Sequence, residues 1–192
     1  MLTIEQAMQE LKIAVQNNPG PWEQHRLVSA DNARRIAEKV PGMDPEKAYI
    51  MGLLHDIGRR VGVTGMLHVI DGCDYMMSLH EPEVAVICLT HSFATQNVEH
   101  YEGKHDCAPE QKAFIKAFIE NRVYDDYDKL IQLCDAVSLP EGACIMEKRF
   151  VDVALRHGIQ NYTTTRWRAY LALKEYFDAL CGCDIYTLLP GV

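Results

Sequence analysis

His55 and Asp56 stand side by side at the end of an apolar run, Met51-Gly-Leu-Leu-His55-Asp56-Ile57-Gly58-Arg59-Arg60. Adjacent helical residues point about 100° apart, so the two side chains share an ion only if it lies off the helix end. There the imidazole supplies a nitrogen ligand and the carboxylate can bridge to a second ion, while Gly58 clears space and permits a sharp exit. Taken alone, the pair is weak evidence and reads more simply as a helix C-terminus ending in a capping histidine. Two other residues make it more informative. Asp135 lies in the apolar stretch Leu130-Ile-Gln-Leu-Cys-Asp135-Ala-Val, where an unpaired carboxylate is costly to bury and needs a metal or a core arginine. His25 lies beside an apolar stripe, either as a ligand or as an exposed helix residue.

Helices must position these groups. Thr3 with Gln6 has capping-box spacing and opens an amphipathic helix to about Gln16, which Asn17-Asn18-Pro19-Gly20-Pro21 ends. A second helix is expected from about Trp22 to Val40, and a third from Asp44-Pro45, as N-cap and N1, up to His55. Residues 58–67 read as irregular, 68–79 as a short helix, Pro82 to His91 as a helix and 92–108 as a polar loop. Further helices are expected from Pro109 to Arg122, from Asp125 or Asp126 to Val137, over 143–157, and over 164–181 closed by Gly182. Period-two runs of β-branched residues are nearly absent. The expected class is all-α, one domain over 1–192, with the chemistry in 22–140 and the helices of 143–181 packed on it.

The order His25, His55-Asp56, Asp135 resembles the HD superfamily of metal-dependent phosphohydrolases, whose signature is H…HD…D across a helical bundle. The likeness covers about residues 22–140: His25-Arg-Leu-Val-Ser-Ala-Asp-Asn-Ala is similar to the family's His-led helix, His55-Asp56-Ile57-Gly58 spells its HDIG variant, and Asp128-Lys-Leu-Ile-Gln-Leu-Cys-Asp135 resembles the approach to its last ligand. The resemblance implies a divalent metal on His25, His55, Asp56 and Asp135. His68-Val-Ile-Asp-Gly72 and Ile87-Cys-Leu-Thr-His91 resemble a subset with extra histidines, which implies a second ion on His68 and His91 with Asp56 bridging. His80 is the alternative to His68. His100, His105 and His157 read as solvated.

Mixed imidazole and carboxylate donors suit Fe, Mn, Co, Ni or Zn better than Mg or Ca, with iron favoured for a bridged pair. Two such ions activate water and clamp a phosphoryl oxygen, so the expected reaction is attack of a metal-bound hydroxide on phosphorus, with Asp56 the catalytic bridge. Arg59 follows HDIG where the family often has lysine, and a guanidinium there can hold phosphate. Ser92 is a further candidate for substrate contact, and Arg26 is either another or a solvent-exposed helix residue.

Among subfamilies, the cyclic-di-GMP phosphodiesterases carry a GYP motif that is missing here, and the guanosine tetraphosphate hydrolases place acidic residues where Gly58-Arg59-Arg60 stands. The nearest resemblance is to small bacterial HD proteins that cleave diadenosine tetraphosphate. They have His-Thr-Ser/Thr-Gly where this chain has His91-Ser-Phe-Ala, and a longer segment between the motifs of Asp56 and His68. Both differences fall where the pocket should be, so the expected substrate is a nucleotide or related small phosphoester or phosphoanhydride. The alternative is a non-catalytic HD-like metal-binding regulatory or scaffold domain.

The 192 residues carry a net charge of −8, which argues against gripping duplex nucleic acid. It does not argue against a small anion held through metals. No apolar run reaches the ~18–20 residues of a membrane span, and the N-terminus lacks a signal-peptide pattern, so a cytoplasmic location is expected. Seven cysteines, an odd number, with Cys73, Cys88, Cys134 and Cys144 in apolar patterns, read as reduced core residues, and Cys181-Gly-Cys183 as a weak metal signal. The apolar stripe around Trp167, Tyr170, Leu171, Tyr176 and Phe177 leaves internal packing and a homodimer both open.

Overall fold

Caps fix most helix boundaries near the expected places. Thr3 and Gln6 close a reciprocal capping box on α1 (Ile4–Asn17). Asp44 accepts from the Glu46 and Lys47 amides at the start of α3 (Pro45–Leu54), and Asp125 does the same for Tyr127 and Asp128 at the start of α7 (Asp126–Ala136). The computed structural model describes all of residues 1–192. The other helices are α2 (Trp22–Ala37), α4 (Leu67–Ser78), α5 (Pro82–Thr90), α6 (Pro109–Asn121), α8 (Met146–His157) and α9 (Thr163–Cys181). One two-stranded hairpin, β1 (Ser138–Leu139) with β2 (Gly142–Ala143), is antiparallel with Ser138 opposite Ala143. The class is all-α, as expected, and no helix is long and apolar enough to cross a membrane.

Four boundaries differ from expectation. α2 stops at Ala37, because Glu38–Val40 form a turn that still buries Val40. α8 starts at Met146 rather than 143, because residues 142–143 pair with 138–139 across the Pro140-Glu141 corner. Ile57–Val61 form a single 3₁₀ turn within the stretch read as irregular. The stretch 92–108 is more than a polar loop: Phe93, Val98 and Tyr101 are buried there, and Val98–His100 forms a 3₁₀ turn. These side chains join Met66, Val69 and Ile115 in a second apolar cluster of nine buried residues, beside a main cluster of 31.

The core elements meet at close range. α2 crosses α3 at Gly52, where a Cβ would lie 2.8 Å from the Ala30 Cα. The 3₁₀ turn meets α4 at Gly58, where a Cβ would lie 1.9 Å from the His68 carbonyl oxygen and 2.5 Å from the Gly72 nitrogen. Both approaches are backbone to backbone, so no rotamer change relieves them. α9 folds its stripe inward: Tyr170 and Phe177 belong to the main core, while Leu171 is 37% exposed.

Gly58→Ala must therefore push the 3₁₀ turn off α4. It should cost about 1–3 kcal/mol or more, read as a lower urea midpoint at unchanged m. A wild-type midpoint would show that the turn and α4 are not in contact in solution.

Candidate metal centre

Four histidines converge, each from a helix end or first turn. His25 lies in the first turn of α2, His55 caps the C-terminus of α3, His68 opens α4 and His91 caps the C-terminus of α5. Every Nδ1 faces a backbone carbonyl: His25 the Ser138 oxygen at 3.2 Å, His55 Gly52 at 2.7 Å, His68 Gly65 at 2.6 Å and His91 Cys88 at 3.0 Å. Carbonyls only accept, so each Nδ1 carries a proton, and in the neutral ring each Nε2 then presents a lone pair. The rings form a row, His25–His55–His91–His68, with centroids 5.5, 5.0 and 5.3 Å apart.

The supports come from distant sequence. The hairpin brings Ser138 to His25, and the Ser138 hydroxyl also accepts from Asn32 Nδ2 at 3.0 Å. Thr90, which precedes His91, is gripped by α7: its hydroxyl donates to Asp128 Oδ1 at 2.8 Å and its carbonyl accepts from Gln132 Nε2 at 3.0 Å. Asp128, fully buried, accepts further bonds from Arg122 Nε and the Asp125 amide.

The lone pairs meet without compensation from the protein. His68 Nε2 stands 3.2 Å from His91 Nε2. His25 Nε2 stands 3.0 Å from Asp135 Oδ1, and His68 and His91 Nε2 stand 3.0 and 3.5 Å from Asp56 Oδ1. His55 Nε2 and Asp56 Oδ1 are buried and make no hydrogen bond. Acceptors facing acceptors at these distances require a proton or a cation between them. Two donors each about 2.1 Å from one ion lie roughly 3.0–3.4 Å apart, so the spacing fits a shared metal. Two donor groups lie within ion-holding distance, His25/His55/Asp135 and His55/Asp56/His91, with His68 beside the second. His80, the alternative to His68, is exposed at φ 60° and takes no part.

Protonation suits ligation. Burial pushes the His55 imidazole down to about 3 and lowers that of His68, where Arg59 adds to the effect. Burial alone would raise Asp56, but the Arg59 guanidinium, whose Nε donates to it, outweighs burial and holds its carboxyl well below the ordinary range. Asp135 is held down against burial only while a proton or cation sits between it and His25 Nε2.

Arginines surround the centre. Arg59 Nε donates to Asp56 Oδ2 at 2.7 Å and Arg59 lines the adjoining cavity, so one edge of its guanidinium is already engaged by that carboxylate. Arg149, which sequence reasoning missed, places Nη2 3.9 Å from Asp135 Oδ1. It is the core arginine foreseen as an alternative partner for Asp135, but the His25 nitrogen is nearer. Ser92 lines the cavity; Arg26 does not. Arg26 is 0% exposed, stacked 3.9 Å over Trp22, with all three guanidinium nitrogens unpartnered, which removes it as a substrate contact. Of the histidines read as solvated, His105 is exposed, His100 is half-buried and stacked on Tyr162 at 4.9 Å, and His157 is exposed at the cavity wall. The cavity holds about 590 Å³, within the usual range for small-molecule sites.

A family model described as HD domain matches residues 22–139. No curated protein and no solved structure matches the chain.

The buried imidazoles set a pH dependence for the metal-free chain. An unfolded His55 binds a proton below its ordinary 6.5 and the folded one only near 3. Between those values the unfolded state holds more protons, so stability rises with pH and is lost on acidification. The depressed carboxyls of Asp56 and Asp135 act in the same direction at lower pH. Urea midpoints of metal-free protein should fall from pH 6.5 towards 4, with a shallower slope in His55→Asn. Parallel slopes would remove His55 as the source.

Proposed function

The chain belongs to the HD domain family, and from that premise we propose that it is a metal-dependent phosphohydrolase acting on a nucleotide or related small phosphoester or phosphoanhydride. HD domains bind divalent metals, and their hydrolases act on small phosphorylated substrates. The observation that carries the proposal for this chain is the inward meeting of unprotonated Nε2 atoms, above all His68 against His91 at 3.2 Å.

In this reading His25, His55, Asp56 and Asp135 would hold one divalent transition-metal ion, and His68 and His91, together with Asp56, would hold a second. Iron is the preferred metal, with Mn, Co, Ni or Zn compatible with the same donors. Bound ions supply activated water and a Lewis-acid clamp on the phosphoryl oxygen. The chain's own residues do the rest. The four carbonyl anchors fix ring orientation and tautomer. Arg59 fixes the Asp56 carboxylate through Nε and offers the remainder of its guanidinium to an anion in the cavity. The α3 and α5 C-termini point partial negative charge at the centre through their capping histidines, which favours cations there. The cavity has room for a nucleotide-sized ligand.

Elemental analysis of protein purified without chelator or nickel resin should find about two transition-metal ions per chain. Asp56→Ala should lose metal and all phosphate release from a nucleotide panel, and Asp135→Asn should impair the first ion while the fold persists. No metal after reconstitution with Fe, Mn, Co, Ni and Zn, or full activity in Asp56→Ala, would sink the proposal.

A further inference from the structure

The family match ends at residue 139, but the cavity wall continues beyond it. α8 turns one face towards the space: Arg149, Phe150, Val153, Arg156 and His157 line it, at the spacing of one helical stripe. α9 adds Arg166 and Trp167 from its first turns.

The charges on this wall are unevenly engaged. Arg59, Lys104, Arg149, Arg156 and Arg166 face the cavity together with the carboxylates Asp56, Glu102, Asp106 and Asp135. Asp56 and Asp135 belong to the proposed metal set. Glu102 is paired with Arg166, and Asp106 accepts from the Gly65 and Leu67 amides. Arg149 and Arg156 instead share one carboxylate: Asp152 Oδ2 lies 3.3 Å from Arg149 Nη1 and 2.7 Å from Arg156 Nη2. Five donors on each guanidinium leave both with capacity for an anion. Arg149 stands beside Asp135, and Arg156 lies two helical turns, about 10 Å, along α8. One phosphate at the metal centre does not span that distance; a chain of phosphates does.

The same wall carries a flat aromatic surface. Phe150 and Trp167 are stacked, with centroids 5.3 Å apart and planes 5° from parallel. Phe150 is buried and backs the indole, while Trp167 is only partly buried and lines the cavity. Such a rigid surface suits stacking by a nucleobase.

Resting on the phosphohydrolase reading, we propose that α8 and α9 set the substrate class: Arg149 and Arg156 grip the phosphates of a nucleoside polyphosphate beyond the one at the metal centre, and Trp167, backed by Phe150, takes the base. Arg149 and Arg156 thus discriminate polyphosphates from monophosphates, and Trp167 discriminates nucleotides from bare polyphosphate.

The chain has two tryptophans, Trp22 and Trp167, and both line the cavity, so intrinsic fluorescence reads binding without turnover. The ligands are AMP, adenosine 5′-(β,γ-imido)triphosphate and inorganic triphosphate, the last followed by competition, on metal-loaded protein. The imido-triphosphate should bind roughly tenfold or more tightly than AMP. Arg149→Gln and Arg156→Gln should each weaken it roughly tenfold, with metal content and melting temperature kept, and Arg149→Lys should recover part of the loss. Trp167→Leu should weaken the imido-triphosphate but not inorganic triphosphate. Equal affinity for AMP and the imido-triphosphate, or wild-type binding in both arginine variants, overturns the phosphate grip. Equal affinity of wild-type protein for bare triphosphate and the nucleotide analogue overturns the base platform. Phosphate release that persists beside such a result leaves the hydrolase reading standing. Graded binding with no hydrolysis under any metal overturns that reading and leaves the α8–α9 assignment in place.

Discussion

The geometry of the centre depends on one repeated interaction, the hydrogen bond from an imidazole Nδ1 to a backbone carbonyl. It occurs at all four converging histidines. Each bond does two things: it orients a ring, and it assigns the proton, so that the lone pair appears on the inward nitrogen. For His55, His68 and His91 the carbonyl belongs to a residue three or four positions earlier, within one turn of its own helix end or of the preceding loop. Local backbone thus sets the direction of these rings without a long-range partner. His25 is the exception. Its carbonyl lies 113 residues away on the hairpin, so this end of the row needs the fold to be complete.

This arrangement conflicts with stability when no cation is present. His55, His68 and His91 are almost fully buried with their inward nitrogens close to other acceptors, which a protein optimised only for folding would avoid. The surrounding structure holds them there by approaches that allow no slack. Gly52 lets α3 lie on α2, Gly58 lets the 3₁₀ turn lie on α4, and Asp128 with Gln132 pins the residue before His91. The cost of burying these unpartnered acceptors is thereby offset by close packing just outside them.

Much of this was legible in the sequence, and the boundary between legible and illegible has physical causes. The helices could be read because caps and prolines are local, and His55-Asp56 because an apolar run ending in two ligand-type residues is local too. Asp135 could be read because a carboxylate inside an apolar stretch implies a partner. The partners could not be read. Ser138 acts through its carbonyl, which carries no side-chain signature, and Gly58 acts through a neighbour that only the fold supplies. The segment 92–108 looked like a polar loop because Phe93, Val98 and Tyr101 follow neither helical nor strand period, yet they fill the second cluster. Arg26, read as a substrate contact or a solvated group, is instead sealed in the core and stacked on Trp22. Arg149 and Arg156 lay in plain view on an amphipathic helix, but the stripe read as packing rather than as a cavity wall.

The net charge of −8 then takes on a different meaning. A whole-chain charge describes the outer surface and how the protein meets large partners. The interior of the cleft follows its own local charges. There, five cationic side chains face four carboxylates, two of which belong to the proposed metal set. Field lines in a low-dielectric cleft are focused by its walls, so an acidic protein can still present a strongly positive interior once its carboxylates carry metal. The acidic exterior disfavours long polyanions such as duplex nucleic acid, while the cleft with the proposed metals bound would favour short ones that fit inside. The sign of the surface and the sign of the cavity thus select against size and for charge together.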